Sequence, residues 1–463
     1  MAYRTSRIIM RPGSRKYAPF FGIVRENMRH AKAVYNTTLF YMRNLFTGLK
    51  KTEDIRTENE RMVIQDISRC LSEMNEKRVT KGRAPYPIPS PESPYLPRYA
   101  WTGVMNRVLK ESCPRPACFY SKLEQQVVMA VCRNMKSFQQ ALGDYRLHSG
   151  KYHAAPQIPG YLKNDTFTLD YDCQMVKTGG EGRHHWIRLA GILADLPTGK
   201  AAYEEIVSLR LSWRNGRITA SVCRKYEEEP KKLTAPGKVI GIDPGIDNFL
   251  AVCPGFGKAP FLIRGGALKS VNQYFNKKRA EIQSRIKQEY GIFTCHELDR
   301  ISAKREDFLY NYFHQTAVKI VDYALLEGAG TIVVGKNDGW KQRVNMGKKG
   351  NQQFVQIPYT RFFRILKDRA EREGIRVVFQ EESYTSRASA LDRDILPAYH
   401  KEDKKVISFS GQRVRRGMYV SSNGTRINAD VNGAANILRK YSENALQDDL
   451  SYLTRSVLVK NVI

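Results

Sequence analysis

The order of elements after residue 238 constrains this chain more than any other feature. VIGIDPG (239–245), FLAVC (249–253) and APFLIRG (259–265) are short apolar, β-branched runs bounded by Gly and Pro, the pattern of buried strands. Helical periodicity then predicts helices over roughly 268–290 and 298–327. TIVVG (331–335) reads as a fourth strand, 359–373 as a helix and RVVFQEE (376–382) as a fifth strand. A last helix begins near Asp430. Strands alternating with helices in this way imply an α/β sheet covered by helices.

Three strands in succession, then helix, strand, helix, strand and helix, is the element order of the RNase H-like fold. The preceding half reads differently. YRTSRIIM (3–10) is a short strand. From Glu26 to Leu49 the apolar positions Met28, Ala31, Tyr35, Leu39, Met42 and Leu45 recur every three to four residues, one face of a helix. More helical pattern fills 55–145 and is interrupted by the rigid proline tract APYPIPSPESPYLP (84–97). Between 165 and 226 the runs TFTLDYD, HHWIRLA, IVSLRLSW and RITASVCRKY, with the turn Asn215-Gly216, predict an antiparallel β-module, read as a small barrel. The charged stretch 227–238 is the expected linker.

Charge narrows the partner. The 76 Lys and Arg outnumber the 46 Asp and Glu, for a net charge of +30. Residues 1–50 hold ten Lys/Arg against the single acid Glu26, and residues 251–350 hold 17 against nine acids. A folded surface of that charge repels itself unless it holds a polyanion, so nucleic acid is the first partner to consider. With 42% hydrophobic residues the chain has the material for sizeable cores. No apolar run is long enough for a membrane helix, and MAYRTSRIIMRPGSRKYAPF lacks a signal-peptide core. The eight cysteines are scattered without a CxxC pair, as in reduced cytosolic proteins. Cys113 and Cys118, in CPRPAC, are the closest two and read as loop thiols rather than zinc ligands.

Two acids stand at the expected sheet and helix ends. Asp243 closes the first strand before Pro244-Gly245, and Asp430 opens the last helix in INADVNGAANILRK. Alone, the first reads equally as a turn residue and the second as a helix-start acid. Together, in an RNase H-like sheet, they face one another, and two close carboxylates usually share hard cations such as Mg²⁺ or Mn²⁺.

GIDPG, ESYTS and SSNGTRINADVNGAANILRK resemble the TnpB proteins, the transposon-encoded OrfB family of RNA-guided DNA endonucleases related to compact type V CRISPR effectors and Fanzors. The segments 268–284, 339–359 and 382–392 support the resemblance, which covers about 238–440. Over 1–237 it rests on layout alone. It implies an α/β RNase H-like (RuvC) nuclease domain at 239–440, a helical recognition domain at 11–149, and a β-barrel wedge module from 1–10 and 150–230. Residues 441–463 are left as a C-terminal tail. It also implies an Asp-Glu-Asp metal site whose first and last members are Asp243 and Asp430.

The chain departs from that pattern twice. Where the family usually has a Glu at the end of the fourth strand, this chain has Gly335. Adjacent strands lie about 4.8 Å apart, so a Glu ending the fifth strand reaches across the space a glycine leaves. Fanzors and other relatives share such a shift. Strand alternation puts Glu381 and Glu382 on opposite faces, so one of them is expected to ligate: Glu382 is favoured, Glu381 is the alternative and Asp338 a weaker rival. Second, no cysteine follows Cys295, so the family's zinc ribbon is not expected, and other contacts must hold 387–428. Its basic run GQRVRRGMY (411–419) reads equally as a nucleic-acid contact or a solvated loop.

Basic and aromatic residues interleave at Tyr274, Phe275, Lys277, Lys278 and Arg279, and again at Trp340, Lys341, Arg343, Lys348 and Lys349. Phosphate pairing and base stacking both suit that pattern. By resemblance, the expected activity is that of an RNA-guided DNA endonuclease. A guide RNA, of transposon-end or CRISPR origin, pairs with target DNA beside a short duplex motif. Two Mg²⁺ ions on Asp243, Glu382 and Asp430 then hydrolyse the phosphodiester to 5′-phosphate and 3′-hydroxyl ends. A prokaryotic cytoplasmic, nucleoid-associated location follows. Gly335 motivates the alternative of a nuclease-inactive, RNA-guided DNA-binding repressor. A guide-independent nuclease and a DNA-joining transposase are the remaining readings.

Overall fold

The computed structural model describes residues 2–226, 237–336, 357–397 and 408–462. The chain divides into two compact units, Met1–Glu228 and Glu229–Ile463. Most of the expected linker lies outside the described residues, as do Asp338, Trp340, Lys341, Arg343, Lys348 and Lys349.

The first unit is built on four helices: α1 (Ala18–Gly48), α2 (Glu58–Val79), α3 (Arg98–Ser112) and α4 (Ser121–Leu147). The apolar positions expected of α1 are all buried, among them Met28, Ala31, Tyr35, Leu39, Met42 and Leu45. Helix α2 starts on a capping box: the Thr57 hydroxyl accepts from the Glu60 amide, and the Glu60 carboxylate accepts from the Thr57 amide. The proline tract at 84–97 separates α2 from α3 without regular structure.

The strands of this unit are β1 (Ala2–Met10), β2 (Leu169–Asp172), β3 (Val176–Gly179), β4 (His185–Leu189), β5 (Leu196–Gly199), β6 (Ile206–Arg214) and β7 (Arg217–Tyr226). They form two antiparallel sheets, ordered β1-β7-β6-β2 and β3-β4-β5. A closed ring of pairings, as in a barrel, is not among the described strands. Asn215 and Gly216 take φ of 51° and 71°, the left-handed pair a tight hairpin needs, and join β6 to β7. The sequence reading missed β3 and β5, because VKTG and LPTG are too short and too rich in Gly and Pro to stand out.

The second unit contains β8 (Val239–Pro244), β9 (Asn248–Pro254), β10 (Phe261–Arg264), α5 (Gly266–Tyr290), α6 (His296–Leu326), β11 (Thr331–Gly335), α7 (Tyr359–Arg372) and β12 (Arg376–Gln380). It continues with a small three-stranded sheet of β13 (Gln412–Arg415), β14 (Met418–Val420) and β15 (Arg426–Asn428), then α8 (Ala429–Tyr441) and β16 (Leu458–Lys460). The main sheet runs β12-β11-β8-β9-β10-β16. Strand β9 is antiparallel to β8 and β10, while β11 runs parallel to β8 and β12. That is the strand order expected from the element sequence, with the fourth and fifth strands adjacent.

Residues 441–463 are not a tail outside this unit. Strand β16 pairs in parallel with β10, and Leu450, Tyr452 and Leu453 are buried in the core shared with α8. The segment was hard to read because its described strand is three residues long and the buried Ala445, Tyr452 and Leu453 lie in 3-10 turns. Among the described residues, no helix is long and apolar enough to cross a membrane.

One face of the sheet is covered by α5, α6 and α7, whose core includes Phe249, Phe313 and Phe362. Helix α8 closes over β8 with Val431, Ala434, Ala435, Ile437 and Leu438 buried. Small residues allow this close approach. A Cβ at Gly241 would lie 2.6 Å from the Ala434 carbonyl oxygen and 2.6 Å from Leu438. Gly241→Ala therefore pushes α8 off the sheet, and a loss of about 1–3 kcal/mol is expected in chemical denaturation of the purified chain.

Candidate active site

Asp243 is the fifth residue of β8 and pairs with Ala251 of β9. Pairing of Val334 with Ile242 brings Gly335, the last residue of β11, level with Asp243. Side chains alternate along a strand, so Asp243 shares the face of Gly241, the face on which α8 lies. A Cβ at Gly433, on α8, would sit 2.4 Å from Asp243 Oδ2. Glycine at 433 is thus what lets the Asp243 carboxylate lie against the helix.

Asp430 stands in the first turn of α8, three residues before Gly433. The Asn428 side chain caps the helix, accepting from the Asp430 and Val431 amides at 3.0 and 3.2 Å. One Asp430 oxygen accepts from Asn248 Nδ2 at 2.8 Å, and the other lies 3.5 Å from the Arg413 guanidinium on β13.

Glu382 follows β12 by two residues. A Cβ at Gly335 would meet Glu382 Oε2 at 2.6 Å and Ile437 Cδ1 at 2.5 Å. The Glu382 carboxylate therefore fills the space that the missing side chain of Gly335 leaves. The ESYTS motif holds it there. Thr385 folds back on Glu382, its hydroxyl donating to the Glu382 carbonyl at 2.8 Å, and Tyr384 takes the left-handed φ of 65°. Helix α8 then pins the turn: buried Asn436 donates to the carbonyls of Thr385 and Ala388, and buried Asn432 donates to Ala388 and accepts from the Ala390 amide.

Glu381 and Glu382 are not separated by opposite strand faces as expected. Strand β12 ends at Gln380, so the alternation lapses before either acid. Both turn toward α8 and differ in partners. Glu381 is paired with the buried Lys440 at the end of α8 and accepts from the Ser383 amide at 2.7 Å. Burial pushes its carboxyl up, but these hydrogen bonds outweigh burial and leave it below its usual value.

Asp243 and Glu382 behave in the opposite way. Burial foremost, then the charges of Glu382 and Asp430, pushes Asp243 well above the carboxylate range, against the pull of Arg413. Burial and then the charge of Glu381 raise Glu382 to about 7, partly offset by Lys440. Carboxylates crowded in a dry place resist joint ionisation, a trait of functional sites.

The donor set is all oxygen and carries several negative charges, which suits Mg²⁺ or Mn²⁺ rather than zinc. Among the described residues, no three His, Cys, Asp or Glu side chains stand grouped to hold an ion. The crowding runs through Asp243, while Asp430 turns its oxygens to Asn248 and Arg413.

The segment expected to need contacts other than zinc is tied down by acids. Asp392 accepts from the Ser422 amide and hydroxyl, and Asp394 from the amides of Ser389 and Ser410. The Tyr419 hydroxyl donates to the Arg387 carbonyl at 2.8 Å. Within it, GQRVRRGMY is the β13–β14 hairpin, and it reaches the acidic site through Arg413 and through Arg416, which pairs with Asp247. Asn248, Arg413 and Asp247 were missed as site residues. Only the basic run marked the hairpin, and nothing in the sequence aimed it at Asp430.

Of the expected nucleic-acid residues, Lys277 and Arg279 are exposed on α5 together with Tyr274, whereas Lys278 is half-buried and paired with Glu281 at 3.0 Å. Phe275 faces the guanidinium of Arg305 on α6.

Residues 221–341 match the OrfB_IS605 family model, described as a probable transposase, and residues 359–437 match the Cas12f1-like TNB domain. The C-terminal half is TnpB-like. Among curated proteins, a TnpB-like protein, ORF457 of Acidianus two-tailed virus, is 27% identical over 225 residues, covering 47% of this chain and 45% of that protein. The CRISPR-associated endodeoxyribonuclease Cas12f1 of Syntrophomonas palmitatica is 24% identical over 163 residues, covering 34% of this chain and 32% of that protein. The chain thus aligns with less than half the length of either. A cryo-EM structure of a Cas12f1–sgRNA–target DNA complex covers 95% of this chain at 13% identity, with a TM-score of 0.32, a likeness too loose to bear on the fold.

The raised carboxyls have a consequence for the TnpB-like half. A Glu382 pKa lifted from 4.5 to about 7 means stability fully present below the unfolded value and lost as pH rises through 7. In chelator-treated protein, Glu382→Gln is expected to raise the melting temperature at about pH 8, on the order of 3 °C, with the gain vanishing near pH 4. Differential scanning calorimetry at the two pH values measures it, and a gain of equal size at both would refute the charge-crowding account.

Proposed function

We propose that this chain is an RNA-guided DNA endonuclease whose single RuvC-like site consists of Asp243, Glu382 and Asp430. The observation that carries the reading is the Glu382 carboxylate over Gly335, beside an Asp243 that both other acids act on. That arrangement supplies a third acid where the TnpB pattern has lost its own. Glu381 has no part in it, because Lys440 and Ser383 already engage its carboxylate.

When bound, Mg²⁺ or Mn²⁺ supplies Lewis acidity for in-line phosphodiester hydrolysis. The protein's part is to set the three carboxylates around the end of β8. Strand β8 fixes Asp243, the ESYTS turn fixes Glu382, and Asn248 with the α8 cap fixes Asp430. Exposed Lys277 and Arg279 on α5 offer sequence-independent phosphate contacts, with Tyr274 as a stacking surface. Guide RNA and target DNA as partners rest on the TnpB and Cas12f1 relatives and on the net charge of +30. A helical recognition domain at 11–149 and a wedge module from 1–10 and 150–230 suit that role.

The test is cleavage of a matched plasmid by the purified ribonucleoprotein with Mg²⁺. Asp243→Ala, Glu382→Ala and Asp430→Ala are each expected to slow cutting by several kcal/mol of barrier, on the order of 1000-fold, while leaving target binding intact. Glu381→Ala is expected to cut within about threefold of the parent, a change of under 1 kcal/mol. Normal cutting by Glu382→Ala removes the middle-acid assignment. Tight, guide-dependent binding with no cutting by the parent chain would make it a nuclease-inactive repressor instead.

A further inference from the structure

The first unit holds a cluster of reactive groups that nucleic-acid cleavage does not use. Cys113, the residue after α3, lies with its Sγ 3.6 Å from His30 Nδ1 on α1. The other ring nitrogen, His30 Nε2, lies 3.6 Å from Glu124 Oε2 in the first turn of α4. His30 is only 8% exposed, and Nε2 has no hydrogen-bond partner. Its ring is packed edge-on against Phe119, with centroids 4.6 Å apart. Thiol, imidazole and carboxylate are thus strung in a row, with the imidazole in the middle.

Two features separate this row from ordinary core packing. A buried carboxyl such as that of Glu124 needs a polar partner, and His30 lies within ion-pair distance of it. Burial pushes the His30 pKa down, but its contacts with Cys113 and Glu124 outweigh burial and raise it to about 9. A metal centre does not fit, because thiol and carboxylate lie on opposite nitrogens of one ring and no single ion reaches all three. A cavity of about 440 Å³ opens at the Glu124 end of the row, lined by Lys110, Pro114, Arg115 and Glu124. Lys110 and Arg115 are exposed and set two positive charges against the one acid, Glu124, in its lining.

We propose that Cys113 is an activated thiol and that the Cys113–His30–Glu124 row is a modification site for small anionic disulfides. His30 Nδ1 takes the Cys113 proton, and Glu124 stabilises the imidazolium through Nε2–H. The Cys113 thiolate attacks one sulfur of the disulfide. The new S–S bond forms as the old one breaks, the departing thiolate carries away the electron pair, and the proton stays on His30. Lys110 and Arg115, which flank Cys113 within three residues in the chain, draw an anionic reagent to this part of the surface. Excess thiol reverses the reaction by the same exchange.

The experiment treats the full chain with limiting dithiobisnitrobenzoate, a dianionic disulfide, and follows each cysteine by peptide mass spectrometry. Exposed Cys173 serves as the internal reference. Cys113 is expected to react ~10-fold faster than Cys173 despite being less exposed. Glu124→Gln and His30→Gln are each expected to bring Cys113 down to the Cys173 rate. Should His30→Gln fail to fold, as judged by circular dichroism, the near-isosteric Glu124→Gln decides. The double variant Lys110→Gln/Arg115→Gln is expected to slow this reagent while leaving neutral iodoacetamide unchanged. Parent Cys113 reacting no faster than Cys173, or undiminished in Glu124→Gln, overturns the activated thiol. Equal slowing of both reagents by the double variant overturns the preference for anions.

Discussion

The close packing of α8 across β8 is the contact on which the candidate site depends. An α-helix that begins with an acid and lies on the end of a strand that finishes with an acid must bring two negative charges together. Most sheets would avoid this by inserting bulk. Here Gly241 and Gly433 remove it, letting α8 settle until its backbone and the Asp243 carboxylate are in contact range. Gly335 removes a third side chain, and Glu382 enters the space. The apolar contacts of Val431, Ala434, Ile437 and Leu438 hold together what the carboxylates push apart. Stability is given up locally so that charge can be concentrated, a common arrangement at sites meant for cations.

The turn that carries Glu382 shows the same division of labour. An acid on a free loop would swing away from its neighbours. Two buried asparagines of α8 prevent this by binding the backbone of residues 385–390, so the helix that brings Asp430 also positions the third acid. Lys440, one turn further along α8, pairs with Glu381, while burial and the charge of Glu381 hold the Glu382 carboxyl raised. The hairpin of β13 and β14 stands over this acidic ground with Arg413 and Arg416. A chain of net charge +30 thus gathers acids at the end of β8 and sets arginines at their margin.

Much of this was legible in the sequence because it rests on local rules. Strand runs bounded by Gly and Pro, and helices with apolar faces, located β8 to β12 and α5 to α8 to within a few residues. The neighbourhood of Glu382 and Gly335 followed from strand spacing once the fourth and fifth strands were set side by side in an RNase H-like sheet. What escaped was short or non-local. Strands β3, β5 and β16 are three or four residues long, and β16 owes its pairing to β10, far back along the chain. Asn248 and Arg413 lie 182 and 17 positions from Asp430 and share no pattern with it.

By itself the sequence determined the element order, the two acids at the ends of β8 and α8, the absence of a glutamate after β11 and the positive charge, because each is a property of composition or local periodicity. Only the tertiary structure decided which neighbouring glutamate fills the gap. Glu381 and Glu382 are the first and second residues after the same strand end, and periodicity would have parted them by face. They are told apart instead by Lys440, whose ammonium α8 delivers to the Glu381 carboxylate, and that pairing depends on how a helix 59 residues away lies on the sheet. The same holds for Cys113 and His30, 83 residues apart, which no spacing rule connects. Side-chain chemistry is written residue by residue, but the pairing of charges is set by packing.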